Sequence, residues 1–525
     1  MARHHALFLA AALGIPLAAQ PYAQSNGWYF DNFKDAVFPW DVYRDTFIGI
    51  PPAEDPVASP FDTLFYSNVY KSELSKEGNC FGMALQSLMM LKKGGHLGYC
   101  LPVSQYSGDI FGAGPLDSNG NPSKLGPTDA MLKRAINIMH GHQVNLPTLQ
   151  LILKVMGQNK NRDASFAYTA FQSARLQNDP TLVSITKSLL PSDGGHTMVA
   201  YDAQDLGGGN KRIFVYDPNR TWANPADRAW YTTNQNFIQI NGNAWSFEMQ
   251  GPEVWSGNPG SGGNFMIVPI SVTGPHSRSP ASLGDQIVGQ ILTTLFIGGS
   301  SAEVQQVTDA TGKRLFRPGT REIDADPSTG MMTMLPFFPS DQAASGAHNG
   351  TALFHLGRAA STLHVTVRGG DAGYTLTAGG PRHHVILNAS GGNGSDIVSF
   401  HEAGSPQQRV ELRNLRGSSE YDIQLVQSDP SVRRVQVLRA SRVILPEGAS
   451  LKVAAEDAHS ALTISANAPL QHDLELHAIT PAGTAQLSRR ALVQEEGQQR
   501  TIRPRDWRNL SAADVLELNR PVQRR

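Results

Sequence analysis

Two hydrophobic rhythms divide this chain. Up to about residue 275, apolar residues recur at both helical and strand spacing; beyond about residue 346 they alternate with a period of two. From Phe81 the residues Met83, Ala84, Leu85, Leu88, Met89 and Leu91 line nearly every side of a helix, so it should be largely buried. Lys92 and Lys93 occupy its last turn, and Gly94-Gly95 stops it. Further helices are expected over 129–139 and 166–176. Residues 181–186 read as a buried strand, Ser192-Asp-Gly-Gly as a turn, and 196–201 as a second strand. A polar, glycine-rich hairpin over 204–210 leads into a strand over 212–216. That strand should stop at Asp217-Pro218-Asn219, because proline cannot donate to a ladder. Strands over 230–249, a Gly/Pro/Ser loop over 251–263 and a last strand over 264–272 complete this half.

Downstream, 277–283 reads as a linker, and Asp285 as the cap of a helix running to Phe296 with apolar residues at helical spacing. Short alternating runs follow, such as Leu363-His-Val-Thr-Val-Arg and Tyr421-Asp-Ile-Gln-Leu-Val, separated by Gly, Asn, Asp and Ser turns. The pattern suits antiparallel β-sandwich modules and shows no fixed-period repeat. The expected fold class is α+β. The expected units are a leader over 1–23, a first domain over 25–275, a connector over 276–345, β-rich modules over 346–434 and 435–495, and an Arg-rich tail over 496–525.

Charge and composition narrow the function. Forty-four basic residues face 45 acidic ones, a net of −1. That balance disfavours a nucleic-acid binder and a polybasic membrane-surface protein. The start Met1-Ala-Arg-His-His, the apolar run over 6–19 and the small residues after it have the layout of a secretory signal peptide, with cleavage between Ala19 and Gln24. The run is shorter than the ~20 residues a membrane span requires, so an exported, secreted or periplasmic protein without a membrane span is expected. Aromatics over 26–60, among them Trp28, Phe30, Phe33 and Phe38, read as an arm packed on the first domain.

Only two cysteines occur, Cys80 and Cys100. In an oxidising compartment they read first as a disulfide, whose closed loop would contribute about 3 kcal/mol. The surroundings of Cys80 offer a second reading. It stands at the head of the buried helix, where unpaired N–H groups and the dipole favour a thiolate. Gly78 and Gly82 leave room for a substrate backbone. A nucleophile needs a base, and the base an orienter. His196 opens a strand whose antiparallel partner ends at Asp217 to Asn219, so a carboxylate or an amide there can hold the imidazole.

The pieces Gly78-Asn79-Cys80-Phe81-Gly82-Met83, then Gly194-Gly195-His196-Thr-Met-Val-Ala-Tyr201, then Val215-Tyr216-Asp217-Pro218-Asn219 resemble, in this order, the papain-like cysteine peptidases. The closer likeness is to the bacterial branch that includes the bacteriocin-processing peptidases, over roughly residues 60–250. The resemblance implies a papain-like catalytic domain with Cys80 as nucleophile, His196 as general base and Asp217 as orienter, Asn219 being the alternative. One position departs. The family carries a Gln six residues before its Cys as a donor to the oxyanion, and here that residue is Leu74; the Asn79 side chain is the substitute considered.

The function expected is a secreted cysteine peptidase working through a thioester acyl-enzyme on a protein or peptide, with no cofactor or metal. Two other readings stay open. One is acyl transfer of the transglutaminase kind with the same triad; the other is a non-catalytic binding or adhesion protein stapled by Cys80–Cys100. Under any of these readings, contact with glycans or a cell surface is the expectation for the β-rich modules. His140-Gly-His142 reads as a helix end rather than a metal site, and Asp117-Ser-Asn-Gly-Asn as a plain turn. Serine-hydrolase, zincin and NTPase motifs are missing from the sequence.

Overall fold

The computed structural model describes residues 22–273, apart from 36, 55–59, 72–73, 75–77, 109–125, 189–193 and 252. Further on it describes 291–298, 303–316, 331–333, 351–357 and, with short gaps, 362–521. The architecture is mixed, helices and an antiparallel sheet followed by strands alone, in keeping with the α+β class. The expected turn at Asp117 and the leader residues 1–21 lie outside the described residues.

In the first half the helices follow their capping signals. Cys80–Lys93 ends at Gly94, whose φ of +73° is the left-handed conformation a glycine stop provides. Asp129 caps Ala130–Gly141, Asn145 caps Leu146–Gly157 and Asp163 caps Ala164–Leu176, each side chain accepting from a backbone N–H of the first turn. A short hairpin, β1 (Gly95–His96) and β2 (Tyr99–Cys100), follows the Cys80 helix.

The main sheet holds β3 (Thr181–Thr186), β4 (Gly195–Gly207), β5 (Asn210–Tyr216), β6 (Phe237–Asn241), β7 (Ala244–Glu248), β8 (Val254–Asn258), β9 (Ser261–Gly262) and β10 (Phe265–Pro269). Its order is β10-β3-β4-β5-β6-β7-β8-β9, antiparallel throughout. All six residues of β3 are buried, as are the first six of β4. The Cys80 helix packs on β3 and β4, which places this end of the sheet inside the core. The aromatic arm packs there too. Trp28, Phe30, Phe33 and Phe38 are fully buried, and Trp28 Nε1 donates to the Met83 carbonyl of the Cys80 helix at 2.9 Å.

Several expectations are corrected. Trp230 and Tyr231 lie on a helix, Pro225–Thr232, not on a strand: Asn224 caps it and proline takes its first position. The expected loop over 251–263 contains β8 and β9, because Trp255 and Gly257 on one face of the strand are buried. The strand over 264–272 closes at Pro269, and Ile270–Thr273 makes one helical turn. Residues 291–296 belong to a strand, β11 (Ile291–Gly298), paired on both sides, so the helix expected over 285–296 does not form there. Seven of its eight residues are apolar or β-branched, a composition that a doubly paired strand favours over a helix.

The C-terminal half has its own core. Consecutive hairpins alternate between two nine-stranded antiparallel sheets. Hairpins 374–390, 419–445 and 470–494 lie in one sheet; 394–415, 450–466 and 498–521 lie in the other. Leu376, Ile423 and Leu476 from the first meet Val398, Leu451 and Ile502 from the second in one buried cluster. The division at 434/435 therefore falls inside a hairpin, where Asp429 pairs with Arg434, and not between modules. The Arg-rich stretch is no free tail either: 498–504 and 515–521 pair with each other, and Arg500 is buried.

The first helix among the described residues, Tyr22–Asn26, sets a limit on the leader expected over 1–23. Ala23 is fully buried, and the Tyr22 ring stacks on Tyr201 at 4.7 Å. Tyr22 and Ala23 thus belong to the folded domain. A leader cleaved within this region should be cut before Tyr22, which N-terminal sequencing of exported protein checks. Deleting residues through Gln24 should cost about 1–3 kcal/mol in urea unfolding, through loss of buried Ala23 and the partly buried Tyr22 ring.

Candidate active site

Cys80, His196 and Asp217 arrive from three elements and meet in the core, 4%, 3% and 0% exposed. Cys80 is the first residue of its helix. Gly78, at φ +94°, turns the chain ahead of it. Gly82 lets that helix press against Ala130–Gly141: a Cβ there would lie 2.2 Å from the Ile136 carbonyl oxygen. His196 opens β4 opposite Ile185 of β3, and Val199 pairs with Tyr216 at the end of β5. The antiparallel register thus delivers Asp217, the residue after β5, beside His196. His196 Nε2 lies 2.6 Å from Asp217 Oδ1. The Cys80 side chain stands close enough to the same imidazole to raise its pKa. With Nε2 held by Asp217, Nδ1 is the ring nitrogen left for the sulfur.

The Asp217 carboxylate is held from behind. Asn219 N donates to Oδ1 at 2.8 Å, and Arg220 Nε stands 3.9 Å from Oδ2. Arg220 lies over the Trp230 ring at 4.2 Å and donates to the Met249 carbonyl at 2.8 Å. Tyr231 Oη receives the Asp217 N–H at 3.1 Å and donates to the Arg220 carbonyl at 2.9 Å, closing the 217–220 turn. Sequence reasoning missed Arg220, Trp230 and Tyr231 as supports, having placed the two aromatics on a strand. The Asn-Pro pair at 224–225 was the signal for their helix.

Charge follows from this packing. Burial pulls the His196 pKa down, but the Asp217 carboxylate and the Cys80 sulfur outweigh it and raise the pKa to about 10. Burial would raise that of Asp217; the His196 charge, its hydrogen bond, the Asn219 N–H and Arg220 leave it below the usual carboxylate range. The imidazole therefore stays cationic over neutral pH beside an anionic carboxylate.

The other expected residues fall differently. The Asn79 amide donates to Asp35 Oδ2 at 3.2 Å and to Asn137 Oδ1 at 3.1 Å, so neither of its hydrogens is left for an oxyanion. Asn219 Oδ1 accepts from Asn32 Nδ2 at 3.0 Å, and it is Asp217 rather than Asn219 that meets the His196 ring. Leu74 is buried in the apolar core. The Cys80–Cys100 bridge is not formed: both thiols are free, one buried and one exposed. Cys100 pairs with Gly95 beyond the far end of the 14-residue helix that Cys80 begins. At 1.5 Å per residue the two lie roughly 20 Å apart, against about 4.4–6.8 Å for a disulfide.

His140, expected only at a helix end, also has work at the other helix. Its Nδ1 accepts the Gly82 N–H at 3.3 Å, one of the donors the Cys80 helix leaves unpaired. Burial lowers its pKa to about 3, so it stays a neutral acceptor. Among the described residues no cluster of His, Cys, Asp or Glu is arranged to hold a metal. Compared with protein-family models, with curated proteins and with solved structures, the chain matches none.

Two measurements check this arrangement. Gly82→Ala should destabilise the protein by about 2–3 kcal/mol or more through the forced separation of two helices, against about 1 kcal/mol for Gly94→Ala, which meets open space. For the imidazole, the raised pKa makes its stabilisation complete below about pH 6.5, the unfolded value, and lost as pH rises toward 10. The urea-unfolding gap between the wild-type protein and His196→Gln should accordingly narrow steadily between pH 6.5 and 10.

Proposed function

We propose that this protein is a cysteine hydrolase of papain-like type that cleaves peptide bonds through a thioester acyl-enzyme. One observation carries the reading: a continuous chain of contacts from the Cys80 thiol through His196 to Asp217, buried together at a helix head. A helix head, a cationic imidazole and a carboxylate orienter are the three aids that turn a thiol into a nucleophile. Free Cys80 and Cys100 speak against the stapled binding protein. The partner proposed is a protein or peptide, and export to an extracellular or periplasmic space is the proposed setting for the leader-like N-terminus.

The chemistry runs as follows. The Cys80 sulfur forms a bond to the carbonyl carbon, and the carbonyl π pair moves to oxygen. That pair returns as the C–N bond breaks, and the leaving amine takes the proton held on His196. A water, deprotonated by the now neutral imidazole, attacks the thioester; collapse releases the acid and returns the proton to the Cys80–His196 pair. Asp217 keeps the ring oriented and offsets its charge throughout.

The test is alkylation of unreduced protein with iodoacetamide at about pH 6, mapped by peptide mass spectrometry, well below the ~8.5 of an ordinary thiol. Cys80 should label fast, at a rate reduced by about tenfold or more in His196→Ala, and less severely in Asp217→Asn. Digestion of a denatured protein mixture should yield new peptide termini that Cys80→Ala abolishes. A Cys80 that stays unreactive even after reduction would falsify the reading.

A further inference from the structure

A thiolate that attacks a carbonyl leaves a negative oxygen, which needs preorganised donors in addition to the base. The Cys80 N–H opens its helix and has no partner within it, so it supplies one donor. Leu74 is apolar and buried, and the Asn79 amide is spent on Asp35 and Asn137. A second amide reaches the same turn from the N-terminal arm. A Cβ on Gly78 would lie 2.8 Å from Asn32 Nδ2, so the Asn32 amide rests against the backbone two residues ahead of Cys80. On its other side Asn32 is tied to the loop that carries Asp217. Its backbone N–H donates to the Pro218 carbonyl at 3.0 Å and its Nδ2 to Asn219 Oδ1 at 3.0 Å. Phe33, the next residue, accepts the Asn79 N–H at 2.9 Å and anchors the arm against the Gly78–Asn79 turn.

Asn32 thus stands between the nucleophile's loop and the orienter's loop, with its amide half used. Nδ2 carries two hydrogens and spends one on Asn219; Oδ1 is buried and meets no donor. A strap between the loops would be served by the backbone bond and one side-chain bond. We propose that the free Nδ2–H of Asn32 and the backbone N–H of Cys80 together form the oxyanion hole, the arm supplying the donor that position 74 lacks. This rests on the reading of Cys80 as an acyl-accepting nucleophile. Asn32 is then a catalytic residue, since its N–H touches the reacting oxygen. Glycine at 78 is required to make room for it.

Two reagents separate this role from a structural one. With p-nitrophenyl acetate the Cys80 sulfur bonds to the acetyl carbon, the π pair moves to oxygen, and collapse expels p-nitrophenolate, so the rate depends on the oxyanion hole. Iodoacetamide loses iodide in a single displacement at carbon with no oxyanion formed. In Asn32→Ala, and in Asn32→Leu of nearly the same shape, p-nitrophenolate release should fall about 10²–10³-fold, while alkylation of Cys80 stays within about threefold. Thermal melts identify the folded variants to be compared. Equal loss with both reagents would mean that Asn32 only holds the loops, and unchanged acetylation would mean that it holds nothing the reaction uses; either result overturns the proposal. A wild-type Cys80 inert to both reagents would remove the hydrolase reading itself, and the Asn32 role with it. Reactive wild type with a failed Asn32 prediction would leave the hydrolase reading standing.

Discussion

The buried contact between His196 and Asp217 is the constraint around which the first domain is arranged. Removing two ionisable groups from water costs several kcal/mol each unless close partners compensate. Here the compensation is local and layered: a 2.6 Å hydrogen bond between the pair, the Asn219 N–H on the carboxylate, and Arg220 behind it. Arg220 itself is held by the Met249 carbonyl and the Trp230 ring. Breaking any outer contact would leave a buried charge less well met, so the 217–231 segment is tied to β4 and to the end of β7 by electrostatics as much as by packing.

The Cys80 side depends on a different constraint, the approach of two helices. Gly82 removes the side chain that would hold Cys80–Lys93 away from Ala130–Gly141, and the space gained admits His140 to an N–H of the first turn. Burial keeps that histidine neutral, whereas the same burial at His196 is outweighed by a carboxylate. Burial thus pushes the two imidazoles of one core toward different charge states, His140 neutral and His196 cationic, because only His196 has a carboxylate beside it. The arm over 28–35 then links both halves: Trp28 bonds the Cys80 helix, and Asn32 bonds the Asp217 loop.

The second half follows simpler rules. Alternating apolar residues give each strand one face for a shared core, and turns every few residues send successive hairpins to opposite sheets. Each sheet grows along its edge, hairpin by hairpin, so no boundary between smaller modules arises.

Much of this was legible in the sequence. The helix from Phe81 to Lys93 was marked by unbroken apolar faces and its glycine stop, and His196 and Asp217 were brought near each other by a glycine-rich hairpin and a strand-ending proline. Local patterns of this kind determine elements and their neighbours, because they report backbone preference and one-sided burial. What lay beyond them was decided by contacts distant in sequence. That Cys80 and Cys100 stay apart follows from the rigid helix between them; that Asn79 bonds Asp35 and Asn137 while Asn32 bonds the Asp217 loop follows from how the N-terminal arm packs on the core. The strand at 291–298 and the continuous sheets past 434 depend on pairing partners, since an apolar run serves helix or strand equally until a ladder satisfies its backbone. The sequence by itself marked Cys80, His196 and Asp217 as candidates and showed where most of the chain turns. Only the tertiary structure decided which of them meet, because burial and hydrogen-bond partnership are properties of the folded core.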